Sequence, residues 1–209
     1  MNKPVRVIVL HGLWMRGLAL SALVQRLHRA GMQAEAFDFM SVQAPVEKTV
    51  EELRARLRKS ATPLHLVGHS LGGLLALNAC EQLEEREPGR IVCLGSPLTG
   101  SAAARQLDDW GGGRLLGHSV DLLLHGTRPW VGPRQAGVVA GTLPLGLGAL
   151  LAHPAGDHDG TVSVAETRLP GLTDHCLVAS SHTGLLFSAS AAQQTIHFLR
   201  HGRFQHPAA

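Results

Sequence analysis

The run Gly68-His69-Ser70-Leu71-Gly72-Gly73 follows directly on the apolar stretch Leu64-His65-Leu66-Val67 and leads into a segment rich in leucine and alanine. A serine with glycine two residues away on either side, between a strand-type run and a helix-type run, has the G-x-S-x-G pattern of a nucleophile on a sharp turn. Such a turn needs neighbours without bulky side chains, because the serine is held there in a strained conformation. A helix starting at Leu71 would aim free N–H groups and the positive end of its dipole at the reacting centre. The chemistry this suits is acyl transfer, in which the serine attacks a carbonyl carbon. The alternative is a glycine-rich turn with an idle serine, and the flanking strand and helix patterns argue against it.

Acyl transfer also needs two N–H donors for the negative oxygen that develops on the carbonyl. Leu71 is one candidate. The other is Leu13, in His11-Gly12-Leu13-Trp14, where glycine lets the backbone approach a substrate closely. The serine further needs a base, and the base an orienting acid. Among thirteen histidines, His182 in Ser180-Ser181-His182-Thr183-Gly184 stands between the last strand-type run and the last helical pattern. His153, His158 and His175 are its rivals, while His69 is expected to face away from the nucleophile. For the acid, Asp159 heads Asp159-Gly160-Thr161-Val162-Ser163, with Asp157 the nearest competitor and Asp174 less suited at a strand start. The chain order Ser70, Asp159, His182 is one in which such sets are built. Trp14, Met15, Leu98 and the apolar run Leu143 to Leu151, which includes Leu145, are candidates for a substrate pocket or for ordinary core.

These residues must be positioned by the elements around them. Short β-type runs alternate with helical patterns, the signature of βαβ units and a parallel sheet. Strands are expected at Val5–Leu10, Gln33–Phe39, Leu64–Val67, Arg90–Leu94, Gln135–Ala140 and His175–Ala179. Helices are expected at Gly17–Ala30, Val46–Lys59, Leu71–Arg86, Leu115–Leu124 and Gly184–Leu199. The fold class is therefore α/β: a doubly wound, mainly parallel six-stranded sheet with helices on both faces. Every candidate residue follows a strand, so all would gather beyond the carboxyl ends of the strands, where such sheets bind ligands.

Composition narrows the function classes. A chain of 209 residues with 44% apolar and 17% charged residues reads as one globular domain over 1–209. The formal charge of +3 comes from scattered residues, which speaks against nucleic acid and leaves room for weak attraction to an anionic membrane surface. Arg54 to Lys59 reads as one solvated helix face. No signal peptide is visible at the N-terminus, and the expected compartment is the cytoplasm. Cys80, Cys93 and Cys176 have no metal-ligand spacing; the first two read as core residues, and neither metal nor cofactor is expected. Ala136 to Ala152 carries no charge, but its glycines and Pro144 favour a buried strand followed by an apolar loop over a membrane span. The glycine-rich segment 100–134 is expected to form a short cap, and the tail 201–209 to fray.

With the elbow, the Val-Leu-His-Gly-Leu run, Asp-Gly-Thr-Val and the late histidine assembled, the chain resembles the α/β-hydrolase superfamily, and within it the small bacterial lipases and carboxylesterases. The resemblance implies hydrolysis of a small-molecule carboxylic ester with no metal or cofactor. It also implies Ser70, Asp159 and His182 as a catalytic triad with Leu13 and Leu71 as oxyanion donors. The first strand starts at residue 5, so the chain reads as a minimal version of that fold. The short insertion disfavours a large interfacial lid and long-chain triglycerides, pointing to short- or medium-chain acyl groups and a monomer or small homo-oligomer. Thioesters, lactones and amides, a membrane-surface lipase, and a non-catalytic homologue binding an acyl ligand or a partner protein are the alternatives.

Overall fold

The computed structural model of the chain describes residues 5–81, 83–84, 88–145 and 156–206. Six parallel strands form one sheet: β1 (Arg6–Leu10), β2 (Gln33–Phe37), β3 (Leu64–His69), β4 (Ile91–Leu94), β5 (Ala136–Gly141) and β6 (Asp174–Val178). Their spatial order is β2-β1-β3-β4-β5-β6. The near-continuous apolar runs in β1, β3 and β4 reflect burial on both faces. Ile8, Leu10, Leu66, Ile91 and Cys93 join one core. Val7, Val9, Val67, Val92 and Leu94 join the other.

Helix α1 (Ser21–Arg29) and the closing helix α6 (Ala189–His201) cover the second core with Leu23, Leu27, Phe198 and Leu199. Helices α2 (Val46–Lys59) and α3 (Leu71–Cys80) cover the first with Val50, Leu53, Leu57, Leu74 and Leu77. Every residue of α3 except Asn78 is buried, as expected of a helix apolar on all sides. The chain leaves β1 toward β2 on one side and later takes up β3 on the other. The carboxyl ends of β1 and β3 thus flank the point where strand order reverses, the usual place for a ligand crevice in open α/β sheets.

Several expected boundaries move for identifiable reasons. α3 stops at Cys80 rather than Arg86: the Arg54 guanidinium donates to the carbonyls of Asn78 (2.8 Å) and Ala79 (3.2 Å), and Leu83 N–H folds back onto Cys80 O. Arg54 is therefore no solvated bystander. The first helical pattern splits into a 3-10 turn at Gly17–Leu20 followed by α1. The last begins at Ala189, because Ser188 Oγ caps Ala191 N–H at 3.1 Å, and only a 3-10 turn occupies Thr183–Leu186.

Segment 100–134 holds more structure than expected. Ser101 caps α4 (Ala102–Asp109), a helix the sequence reading missed. The single helix expected at Leu115–Leu124 is instead two 3-10 turns and α5 (Val120–His125), broken at Gly117, whose φ of 58° lets it pack against Val42 O. At one end of this cap, Glu166 accepts Ala102 N–H with one carboxylate oxygen and both Ser163 N–H and Ser163 Oγ–H with the other. At the other end, buried Arg134 donates to Leu64 O at 2.7 Å, and Trp130 Nε1 donates to Arg134 O at 2.9 Å.

The tail up to residue 206 is docked, not frayed. Phe204 is buried against Phe198 with ring centroids 4.7 Å apart, and its N–H donates to Asp174. Residues 207–209 lie outside the described residues. Of Ala136 to Ala152, the first six residues are β5, 142–145 are loop, and 146–152 lie outside the described residues. Among the described residues no helix is long and apolar enough to cross a membrane. Cys80, Cys93 and Cys176 are buried, and burial pushes the Cys93 and Cys176 thiols up to about 12.

Candidate active site

Ser70 sits between β3 and α3 with φ 53° and ψ −120°, a region that L-residues rarely adopt. Its N–H donates to Leu94 O at 2.9 Å, and its own carbonyl accepts Gly73 N–H at 3.1 Å. The two spacing glycines are sterically required. A Cβ on Gly68 would lie 2.3 Å from the carbonyl of Gly72, and one on Gly72 would lie 2.6 Å from Leu10 O. Leu71 opens α3, so its N–H has no partner within the helix.

Asp159 is buried, and every one of its acceptors is directed. Oδ1 takes the N–H groups of Thr161 (3.0 Å) and Val162 (2.8 Å), Oδ2 lies 2.8 Å from His182 Nδ1, and the backbone carbonyl takes His182 N–H at 2.8 Å. A carboxylate oxygen accepts, so Nδ1–H is the donor in this pair and Nε2 is the ring nitrogen left for another partner. His182 and Ser70 line the same cavity.

His69 lies beneath His182, ring centroids 4.8 Å apart, and donates from Nε2 to His182 O at 3.0 Å. Its Nδ1 has no hydrogen-bond partner among the described residues. Burial, reinforced by His182 beside it, pushes its pKa down to about 3, so the ring is neutral. The sequence suggests a residue facing away from the nucleophile; the structure instead sets it against His182 and in the lining of the cavity that Ser70 shares. Gly95, directly after β4, also borders the Asp159–His182 pair. At φ 54°, a Cβ there would lie 2.9 Å from Asp159 Oδ2 and 3.2 Å from His182 Nδ1.

The rival residues point elsewhere. Asp157 is exposed, and its backbone carbonyl takes Val164 N–H. Asp174 accepts Phe204 N–H and pairs with His206 on the tail. His158 Nδ1 accepts Gly160 N–H, and His175 bonds Thr167 Oγ1 while burial holds its pKa down to about 4. His153 lies outside the described residues.

The turn after β1 is built around His11, which is wholly buried and stacked on Phe39 at 4.1 Å. Phe39 N–H donates to His11 Nε2 at 3.3 Å, so Nδ1 carries the proton and donates to Gly12 O at 2.9 Å. Burial lowers the pKa of this ring, in keeping with the neutral form. Trp14 has φ 58°; its N–H donates to Ser41 Oγ at 3.1 Å and its indole N–H to Leu115 O of the cap at 2.9 Å. Ser41, like Glu166, was missed by sequence reasoning.

Between these turns and the cap lies a cavity of about 490 Å³. Of the residues expected in a substrate pocket, Trp14, Met15 and Leu145 line it, together with Leu13 and with Ala104, Leu107, Leu116 and Leu123 of the cap. Leu98 does not: it is completely buried in the first core, and its carbonyl is taken by Thr127 N–H, so it is a packing residue. No Asp, Glu, Lys or Arg is among the lining residues. Among the described residues no group of three or more His, Cys, Asp and Glu side chains could hold a metal ion.

The family model described as Thioesterase domain matches residues 21–124. No curated protein matches the chain. Among solved structures, the mature form of lipase BlEst2 from Bacillus licheniformis has a TM-score of 0.75 at 19% identity, covering 96% of this chain and 94% of that one. Its propeptide form is covered over 54% of its length. Pyrethroid hydrolase PytH gives a TM-score of 0.66 at 15% identity, with 95% and 99% coverage. The metagenomic carboxyl esterase MGS0156 gives 0.63 at 14% identity, with 87% and 65% coverage. At these identities the likeness is one of fold.

Proposed function

From the premise that this chain has the α/β-hydrolase fold, we propose that it is a serine hydrolase cleaving carboxylic esters of short- to medium-chain acids through an acyl-enzyme on Ser70. The observation that carries the reading is the 2.8 Å bond from buried Asp159 to His182, whose ring lines the same cavity as the elbow serine. In this reading His182 Nε2 takes the hydroxyl proton as Ser70 Oγ bonds to the carbonyl carbon. The displaced electron pair settles on the carbonyl oxygen, which the Leu13 and Leu71 N–H groups meet. When that pair returns, the C–O bond to the alcohol breaks and His182 returns the proton to the leaving oxygen. Water then repeats the sequence and frees the acid. Asp159 holds the Nδ1–H tautomer throughout.

The uncharged, largely apolar lining supports a neutral acyl chain, and the volume lies within the roughly 300–1,000 Å³ usual for small-molecule sites. A thioester is the second reading, favoured by the Thioesterase domain match, whose span includes Ser70. The mechanism is shared and only the leaving atom differs.

The test is a series of nitrophenyl esters from acetate to laurate, with matched thioesters, on the wild-type chain and Ser70→Ala. Turnover and fluorophosphonate labelling should both vanish in the variant, the rate falling about 10⁴-fold or more. Turnover retained by Ser70→Ala would sink the assignment. A clear preference for thioesters of equal chain length would move it to the second reading.

A further inference from the structure

The elbow explains how one oxyanion donor is aimed; the turn after β1 must aim the other, and its backbone is strained. Leu13 N–H belongs to the peptide that also carries Gly12 C=O, and in a trans peptide the two point in opposite directions. His11 Nδ1–H holds that carbonyl at 2.9 Å, and His11 is itself held by the Phe39 ring and Phe39 N–H. Leu13 N–H is thereby turned away from His11. The next peptide joins Leu13 C=O to Trp14 N–H, and Trp14 N–H is held by Ser41 Oγ at 3.1 Å. Both planes meet at Leu13 Cα, so holding the two of them holds the φ and ψ of Leu13.

We propose that Ser41 is a positioning residue: its buried hydroxyl pins the peptide after Leu13, as His11 pins the one before it, and so keeps the Leu13 N–H in place for the oxyanion. The inference rests on the reading of Ser70 as nucleophile. Trp14 is 59% exposed, so burial does little to offset its φ of 58°. Its conformation is held by the bond to Ser41 at 3.1 Å and the indole bond to Leu115 O at 2.9 Å, with only a long 3.4 Å turn bond, Met15 N–H to Gly12 O, closing it locally. Ser41 is well placed to resist that strain. It is 6% exposed, and its own carbonyl accepts Ser119 Oγ–H from the cap at 2.7 Å.

The experiment compares ester hydrolysis by Ser41→Ala, Ser41→Thr and Ser119→Ala, with Ser70→Ala in parallel. Ser41→Ala should lower kcat by about tenfold to a hundredfold, with KM changed by no more than about twofold, because the lost pin misplaces a group that acts on the transition state. Affinity for an alkyl boronic acid, which forms a tetrahedral adduct on the serine, should fall by the same factor. Ser41→Thr keeps the hydroxyl and should restore most of the rate. Ser119→Ala removes a bond to the same residue without touching Trp14 N–H, and should leave kcat within about twofold. If Ser41→Ala does not fold, Ser41→Cys, close in size and a poor acceptor, carries the same expectation. An unchanged kcat, or an equal loss in Ser119→Ala, overturns the role of Ser41. Activity surviving in Ser70→Ala would instead overturn the nucleophile reading beneath it.

Discussion

Ser70 and Trp14 are the non-glycine residues with positive φ among the described residues, and they face one cavity from neighbouring strands. They are held in opposite ways. Around Ser70 the turn is closed by backbone: Gly68 against Gly72, Gly72 against Leu10, and a fully apolar helix behind. Trp14 is more than half exposed, its local turn bond from Met15 N–H to Gly12 O is long at 3.4 Å, and two shorter hydrogen bonds come from distant segments. Strain at the elbow is therefore locked by steric closure, while strain at the β1 turn is tied to the cap and to the turn after β2. The two turns that border the cavity differ in how they are held.

That contrast can be broken most severely at the elbow. Gly72→Ala sets a methyl 2.6 Å from Leu10 O with no flexible side chain to yield, and should destabilise the fold by about 3 kcal/mol, read from the urea midpoint. A loss below about 0.5 kcal/mol would show that the closure is loose, since only surface positions are so tolerant. Gly95→Ala sharpens the comparison by pressing on the Asp159–His182 pair from the rigid side. Its kcat should fall about a hundredfold, as displacements near 1 Å do, while stability drops by roughly 1–2 kcal/mol for the positive φ. Equal activity in that variant would mean the pair can move aside without loss. The smallest effect belongs to Trp14. Trp14→Gly should melt above Trp14→Ala by about 1 kcal/mol, because both lose the indole bond and only glycine relieves the backbone. Reversal of that order would remove strain from the account of the β1 turn.

The same contrast decides what could be read from sequence. The elbow was legible because its steric rule is local: two glycines, a strand before and a helix after. Chain order pointed to Asp159 and His182, and the structure joins these two: the Asp159 carboxylate lies between two backbone N–H groups and the imidazole, while Asp157 is exposed. Leu98 was misread because a leucine after a strand end looks alike whether it faces a pocket or a core. α4 was missed because three alanines give no periodic stripe, and its decisive signals were the Ser101 cap and Glu166, 64 residues beyond Ala102. Ser41 lies 27 residues from Trp14 and belongs to no motif. The tail was judged on composition, which does not reveal that Phe204 has Phe198 to pack on. Pairwise contacts between remote residues leave no periodicity, and those are the ones the sequence reading lacked.

Both ends of the cap are anchored to parts of the molecule that do not depend on the cap. Glu166 takes the first N–H of α4 from one side, and Arg134 reaches the start of β3 from the other. Between these fixed points the chain is free to differ in length, since doubling a flexible loop adds only about 0.6 kcal/mol of closure entropy. The cap is in that sense an exchangeable module: a longer or differently lined segment could be spliced between Ala102 and Arg134, changing the shape and lining of the cavity while Ser70, Asp159 and His182 keep their geometry.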